Sequence, residues 1–212
     1  MTLPEVVPLF PLPNVVLFPR MLLPLHVFEP RYRAMVRDAL RGPRLIGMVL
    51  LRGAWQADYA GRPPIFTTGT VGQMVHVEEL PDGRFNIVLR GLSTFVVRDE
   101  LPPARLYREG RVVWRDDRED RIATTTRDAL VGLVHRYLDR LGHKPTSPSA
   151  LDRDVDDATF VSFFAQQLEL DPLERQALLE ETSSSARAAR LVDVLEFRLE
   201  ELARAGHGSQ GH

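Results

Sequence analysis

At 212 residues, with 44% hydrophobic and 26% charged residues, the chain has the composition of one large globular domain or two small ones, not of a disordered segment. A formal net charge of -2 provides no global field towards nucleic acid or anionic lipid. The absence of cysteine excludes disulfides, thiolate zinc sites and cysteine nucleophiles together, and it fits a reducing cytoplasm.

The amino-terminal stretch is strongly apolar, yet seven of the 16 prolines fall within its first 30 residues. Each interior proline costs a helix about 3 kcal/mol and a hydrogen bond, so neither a long helix nor a membrane anchor forms here. A signal peptide needs positive charge ahead of its apolar region, and the first cation is Arg20. Short extended pieces joined by proline corners remain. Val6-Val7 and Val15–Phe18 are expected as apolar strands entering a core.

The first helix is expected where the proline run ends. Pro30 suits a first-turn position, because its missing N–H has no partner there anyway. Tyr32, Met35, Val36, Ala39 and Leu40 then repeat at helical spacing and define a buried face. Arg33, Arg37 and Arg41 form a stripe on another face, and Gly42-Pro43 ends the helix. From Arg44 to about Asp116 the pattern is β. Strands are expected at 45–51, 69–80, 84–90, 93–98 and 106–114, completing a set of about six. Pro81-Asp82-Gly83 forms a hairpin turn between the second and third of these, since glycine tolerates positive φ.

After Asp120 the apolar period changes from two to 3.6. Leu130, Leu133, Val134, Tyr137, Leu138 and Leu141 mark one helix, and Phe160, Val161, Phe164 and Leu168 a second. Asp171-Pro172-Leu173-Glu174 opens a third with an N-cap, a first-turn proline and an acid at the capping-box position. A fourth follows the serines at 183–185. The expected organisation is a β-rich module over residues 1–118, a helical module over 119–205 and a disordered tail over 206–212.

Catalytic patterns are thin. There is no G-x-x-x-x-G-K-[ST] loop, no G-x-S-x-G elbow and no H-E-x-x-H pair. Lys144, the only lysine, lies in a Pro/Ser-rich loop with nothing to depress its pKa. The acidic run 152–157 places Asp157 and Phe163 where a calcium loop needs glycine and glutamate, so a helix N-terminus accounts for it better. The six histidines are scattered, and no metal or cofactor site is expected.

Two places remain as candidate binding surfaces. His26 and Phe28, followed by Tyr32, either line a peptide groove or form the joint between strand and helix. The Arg33/Arg37/Arg41 stripe is either a solvated helix face or an anion- or RNA-binding face.

The segments LFPLPNVVLFP (9–19) and LPLHVFEPRYR (23–33) carry a family resemblance, which continues through GTVGQMVHVEELPDGRFNIVLRG (69–91). They resemble the amino-terminal, substrate-binding domain of the Lon protease family, above all its small stand-alone bacterial versions. The resemblance extends over about residues 3–204 and is most specific before residue 100. It implies an α+β fold: a PUA-like six-stranded pseudo β-barrel followed by a C-terminal helical bundle. It also implies a non-enzymatic, cytoplasmic module whose partner is an unfolded or tagged polypeptide, or another protein. The alternative is RNA, since PUA-like barrels include RNA binders, although the net charge argues against it. One departure stands out: family members often have glycine where this chain has Arg20. A turn that needs positive φ there would strain arginine by about 1–2 kcal/mol.

Overall fold

The computed structural model describes residues 3–59, 61–143 and 155–208. In chain order the elements are β1 (Val6–Leu12), β2 (Leu22–Val27), α1 (Pro30–Leu40), β3 (Leu45–Leu51), a short 3-10 turn (Trp55–Asp58), β4 (Ile65–Glu79), β5 (Phe85–Glu100) and β6 (Arg108–Trp114). Helices α2 (Thr124–Arg140), α3 (Asp157–Gln167), α4 (Pro172–Glu180) and α5 (Ser184–Gly208) follow. They form two compact units, Met1–Asp116 with Leu168–Glu180, and Asp117–Gln167 with Glu181–His212.

The first unit is a six-stranded mixed sheet in the order β2-β5-β4-β3-β1-β6. Only the β1–β3 pair is parallel. The 16-residue β5 is long enough to serve two neighbours on one side: its first half pairs with β2 and its last residues pair with β6. That second pairing links five strands in a ring, with β2 appended outside it, so the sheet does not close as a regular barrel. Inside, Val7, Leu9, Leu45, Val49, Val71 and Phe95 form one buried cluster. Burying a side chain of this size stabilises a fold by about 1.5–3 kcal/mol.

The prolines of the amino-terminal stretch occupy ladder positions that tolerate them. β1 pairs with β6 over Val6–Leu9 and with β3 over Leu9–Leu12. Only Leu9 is registered on both sides, so Pro8 and Pro11 each sit where one edge of the strand is unpaired. The strand expected at Val15–Phe18 does not form. Val16, Leu17 and Phe18 are buried as irregular chain, and the second strand lies further on, at Leu22–Val27.

The connection is a tight turn over Phe18-Pro19-Arg20-Met21. Met21 N–H donates to Phe18 O at 3.3 Å, and Arg20 has a φ of 70°. Proline followed by a positive-φ residue is the type II pattern. The turn presses on β5 at Gly91, where an added Cβ would lie 2.2 Å from Phe18 O. The hairpin at Pro81-Asp82-Gly83 forms as expected, with Gly83 at a φ of 77° and Leu80 N–H donating to Arg84 O at 2.8 Å.

The second unit holds α2, α3 and α5. Leu130, Leu133, Val134 and Tyr137 supply the buried face of α2, and Ala188, Leu191 and Leu195 that of α5. Asp156 caps α3, accepting from Thr159 N–H at 3.0 Å. Asp157 pairs with Arg127 at 2.6 Å, and the same guanidinium lies 3.9 Å over the Phe160 ring. These two acids therefore serve a helix start; residues 152–154 and Lys144 lie outside the described residues.

Two parts of the expected organisation differ. α4 belongs with the sheet, not with the other helices: Gln176 is buried and donates to Thr68 O of β4 at 3.1 Å. Its capping box forms as expected, with Asp171 N–H donating to Glu174 at 2.8 Å. α5 runs to Gly208, into the segment expected as a disordered tail, of which residues 209–212 lie outside the described residues. Among the described residues no helix is long and apolar enough to cross a membrane, and no cluster of three or more potential metal ligands occurs.

Candidate polypeptide-binding surface

Among the described residues β2 is an edge strand, with β5 as its strand partner. Because side chains alternate along a strand, Leu22, Pro24 and His26 share one face, and all three are exposed. Phe28 extends the row just past the strand end. Leu22 is 56% exposed and Phe28 59% exposed, unusual values for such large apolar side chains in a row. The opposite face, Leu23, Leu25 and Val27, turns towards the core.

β5 supplies the floor. Arg90, Val88 and Asn86 stand opposite Leu22, Pro24 and His26, and His76 of β4 stands opposite Val88. A groove of about 280 Å³ opens here, lined by Pro24, Leu25, His26, His76, Asn86 and Val88 among others. A row of hydrogen bonds holds its polar end rigid. His26 Nδ1 lies 2.8 Å from Asn86 Oδ1, and Asn86 Nδ2 donates to Glu78 at 2.8 Å. Arg84 Nη1 lies 3.3 Å from His26 Nε2 while its Nε pairs with Asp82 at 2.6 Å. An Nδ1–H donated to Asn86 Oδ1 leaves Nε2 facing Arg84, so the ring bridges the two side chains. The Phe28 ring stacks beside His26 at 6.2 Å.

The surface can take apolar side chains from an extended chain against Leu22, Pro24, Val88 and Phe28. Pro24 offers no N–H, so a partner strand cannot form an uninterrupted ladder along this edge. Side-chain contact is thus the main attraction available, with backbone pairing secondary.

Of the sequence candidates, His26 and Phe28 are brought together, and Tyr32 is separated from them. Tyr32 is 3% exposed, its ring 4.3 Å from that of Phe10, and its hydroxyl points to Pro11 O at 3.5 Å. Burial pushes its hydroxyl pKa well above the usual tyrosine value. The helical spacing that placed Tyr32 with Met35 and Val36 already carried this outcome: it is a core residue joining β1 to α1.

Two arginines of the stripe have an acid beside them. Arg37 pairs with Glu79 at 3.0 Å, and Arg41 with Asp38 at 3.3 Å. Arg33 leans on Gly83, and its buried Nε has no hydrogen-bond partner. The β4–β5 hairpin touches the first two arginines through Gly83 and Glu79.

Leu22, Pro24 and Val88 were missed in the sequence. The run from Leu22 to Val27 is apolar at nearly every position, so alternation gave no sign of which residues face outward. Arg31, Arg62, Arg105 and Arg108 gather round one cavity, yet neighbours among them lie up to 43 positions apart in the chain, and no local pattern links them.

Comparison with known proteins points one way. The family model described as the ATP-dependent protease La (LON) substrate-binding domain matches residues 6–196. The chain is 30% identical over 209 residues to Lon protease 2 of Myxococcus xanthus, covering 94% of this chain and 24% of that protein. It is 28% identical to the Lon protease of Anaeromyxobacter dehalogenans, again over 94% of this chain and 24% of the relative. It therefore spans about a quarter of the length of these relatives. Among solved structures, a Lon N-terminal domain protein from Xanthomonas campestris aligns with a TM-score of 0.64 and 27% identity, over 89% of this chain and 97% of that one. The N-terminal domain of a Mycobacterium avium complex Lon protease shares the fold at a TM-score of 0.66 and 14% identity, over 91% of this chain and 98% of that one.

Proposed function

The chain belongs to the LON substrate-binding domain family, and on that premise we propose that it is a non-enzymatic module that binds extended polypeptide segments through the outward face of β2. The observation that carries this reading is the row Leu22, Pro24, His26 and Phe28 along and just past the edge strand β2, with two large apolar side chains more than half exposed. Polypeptide suits such a row better than RNA does, because base stacking and phosphate contact call for cations and open aromatic pairs. The arginines nearest to a basic surface are engaged by Glu79 and Asp38. We place its action in the cytoplasm, a reading supported by the cysteine-free composition.

The test uses fluorescein-labelled casein as a permanently unfolded probe. Leu22→Ser with Phe28→Ser should weaken its binding about tenfold or more, the size expected when two apolar contacts of about 1.5–3 kcal/mol each are partly lost. Far-UV circular dichroism should stay unchanged. Casein binding as tight as that of the wild type would remove β2 from the reading.

A further inference from the structure

A second cavity, of about 190 Å³, lies in the same unit, away from the β2 row in the sheet and bounded by the loop before β6. Four arginines line it, Arg31, Arg62, Arg105 and Arg108, and among the described residues no acidic residue does. The acids that balance them stand behind. Glu29 takes Arg31 at 3.0 Å, Asp38 takes Arg105 at 2.7 Å, and Glu100 takes both Arg62, at 2.9 Å, and Arg108. Glu109 adds a longer contact to Arg105 at 3.4 Å.

These contacts aim the arginines rather than exhaust them. Arg31 is held between two rings, 4.6 Å from that of Tyr32 and 5.0 Å from that of Tyr59. Arg108 is buried, and its Nη1 donates to Pro63 O at 2.8 Å. Arg62 makes its bonds through Nη2 alone, to Glu100 and to Leu101 O, and Arg105 through Nη1 and Nε. Arg62 Nε and Nη1, Arg105 Nη2 and Arg31 Nη1 thus have no partner among the described residues. Guanidiniums fixed in place with donors to spare are suited to paired recognition of a planar anion.

We propose that this cavity is a carboxylate-binding subsite for the bound polypeptide, taking either its terminal carboxylate or an aspartate or glutamate side chain. Three observations favour a carboxylate over a phosphate or a nucleotide. The four arginines already have four carboxylates close by, so the cluster is formally neutral and offers spare N–H donors to one carboxylate but no surplus charge to a polyanion. The volume admits a carboxylate with a few carbons and is too small for a nucleotide. The rim is apolar, with Leu106 72% exposed beside Pro103, and only a ligand with a carbon chain uses that contact. Tyr107 contributes by position: its hydroxyl donates to Asp38 at 2.9 Å, fixing the acid that holds Arg105.

The inference rests on the polypeptide reading, and the experiment separates the two. An alanine–leucine hexapeptide labelled with fluorescein at its N-terminus is prepared as the free acid, as the C-terminal amide, and as the amide with one internal aspartate. Fluorescence anisotropy should show the free acid, the aspartate peptide or both binding about tenfold or more tighter than the plain amide, the effect of a charge-assisted hydrogen-bonded pair. Which of the two gains identifies the source of the carboxylate. The gain should vanish in Arg62→Gln with Arg105→Gln, and in Arg105→Gln alone on its half-exposed side chain if the double variant does not fold. It should persist in Arg33→Gln. Equal binding of all three peptides while casein still binds overturns the subsite alone, as does a gain that survives both variants. Loss of casein and peptide binding alike in the wild type overturns the subsite together with the polypeptide reading.

Discussion

β1 and β2 come from the same oily, proline-rich stretch, and they end in opposite situations. β1 lies between β3 and β6, and its Leu9 is fully buried; β2 lies at the sheet edge, and its Leu22 is mostly exposed. Both strands carry proline. In β1, Pro8 and Pro11 fall where the two half-ladders change over, so they cost little and the strand stays central. In β2, Pro24 stands on a strand that has one strand partner among the described residues, and it interrupts any ladder that would form along the outer edge. Composition does not separate a structural strand from a binding strand here. The number of neighbours does.

The sharpest way to break that comparison is to shorten the same residue type in each strand. Leu9→Ala opens a cavity beside Val49 and Phe95 and should cost about 2–5 kcal/mol, read from the midpoint of urea unfolding. Leu22→Ala should stay within about 0.5 kcal/mol of the wild type, as exposed substitutions do. Equal losses at the two sites would mean that β2 is covered, and the proposed binding face with it.

A smaller effect follows from the ion pair that locks β1's side of the ring. Arg108 of β6 is in register with Leu9, and it pairs with Glu100 of β5 where those two strands close the ring. Burial works to raise the Glu100 pKa, but hydrogen bonds from Arg108 and Arg62 outweigh it and hold it below the ordinary glutamate value. A carboxylate depressed by folding contributes stability that is fully present above its unfolded pKa and is lost as pH falls through the folded one. Urea midpoints taken downward from pH 7 should therefore fall more steeply below the ordinary glutamate range in the wild type than in Glu100→Gln. Parallel curves would show that the pair adds nothing to the closure. No residue of β2 takes part in this pair, so the acid sensitivity is assigned to the β1 side.

How far this was readable from the sequence depends on how local each signal is. The inner face of α1, the Pro81-Asp82-Gly83 turn and the capping box of α4 are set within a few residues, and all three formed as expected. The assignment of α4 to the sheet depends on Gln176 reaching Thr68, 108 positions away, and helical periodicity carries no trace of that. β2 was misplaced because Val15–Phe18 and Leu22–Val27 are almost equally apolar; a turn with one residue at positive φ decides which of them pairs. Of the candidate binding residues, Phe28 and His26 lie on the surface, whereas Tyr32 follows its helix face inward. The arginine cavity draws its side chains from α1, the β3–β4 connection and the chain before and within β6, so only the folded topology assembles it.

The smallest expected effect lies at the turn that sends the chain from one situation to the other. Arg20 has a φ of 70°, a conformation that costs a non-glycine residue about 1–2 kcal/mol. Its backbone N–H donates to Gly91 O at 2.8 Å, and Gly91 N–H donates to Met21 O at 2.9 Å, so the turn is tied to β5 by main-chain bonds that a substitution leaves in place. Arg20→Gly relieves the strain but adds freedom to the unfolded chain, for a net gain of roughly 0.5–1 kcal/mol. Arg20→Ala keeps a Cβ at the same φ and should gain nothing, so the pair of variants separates backbone strain from loss of the side chain. Thermal unfolding of both against the wild type is sufficient. If Arg20→Gly is no more stable than Arg20→Ala, the turn is not strained, and the direction of β2 must be set by its pairing with β5 alone.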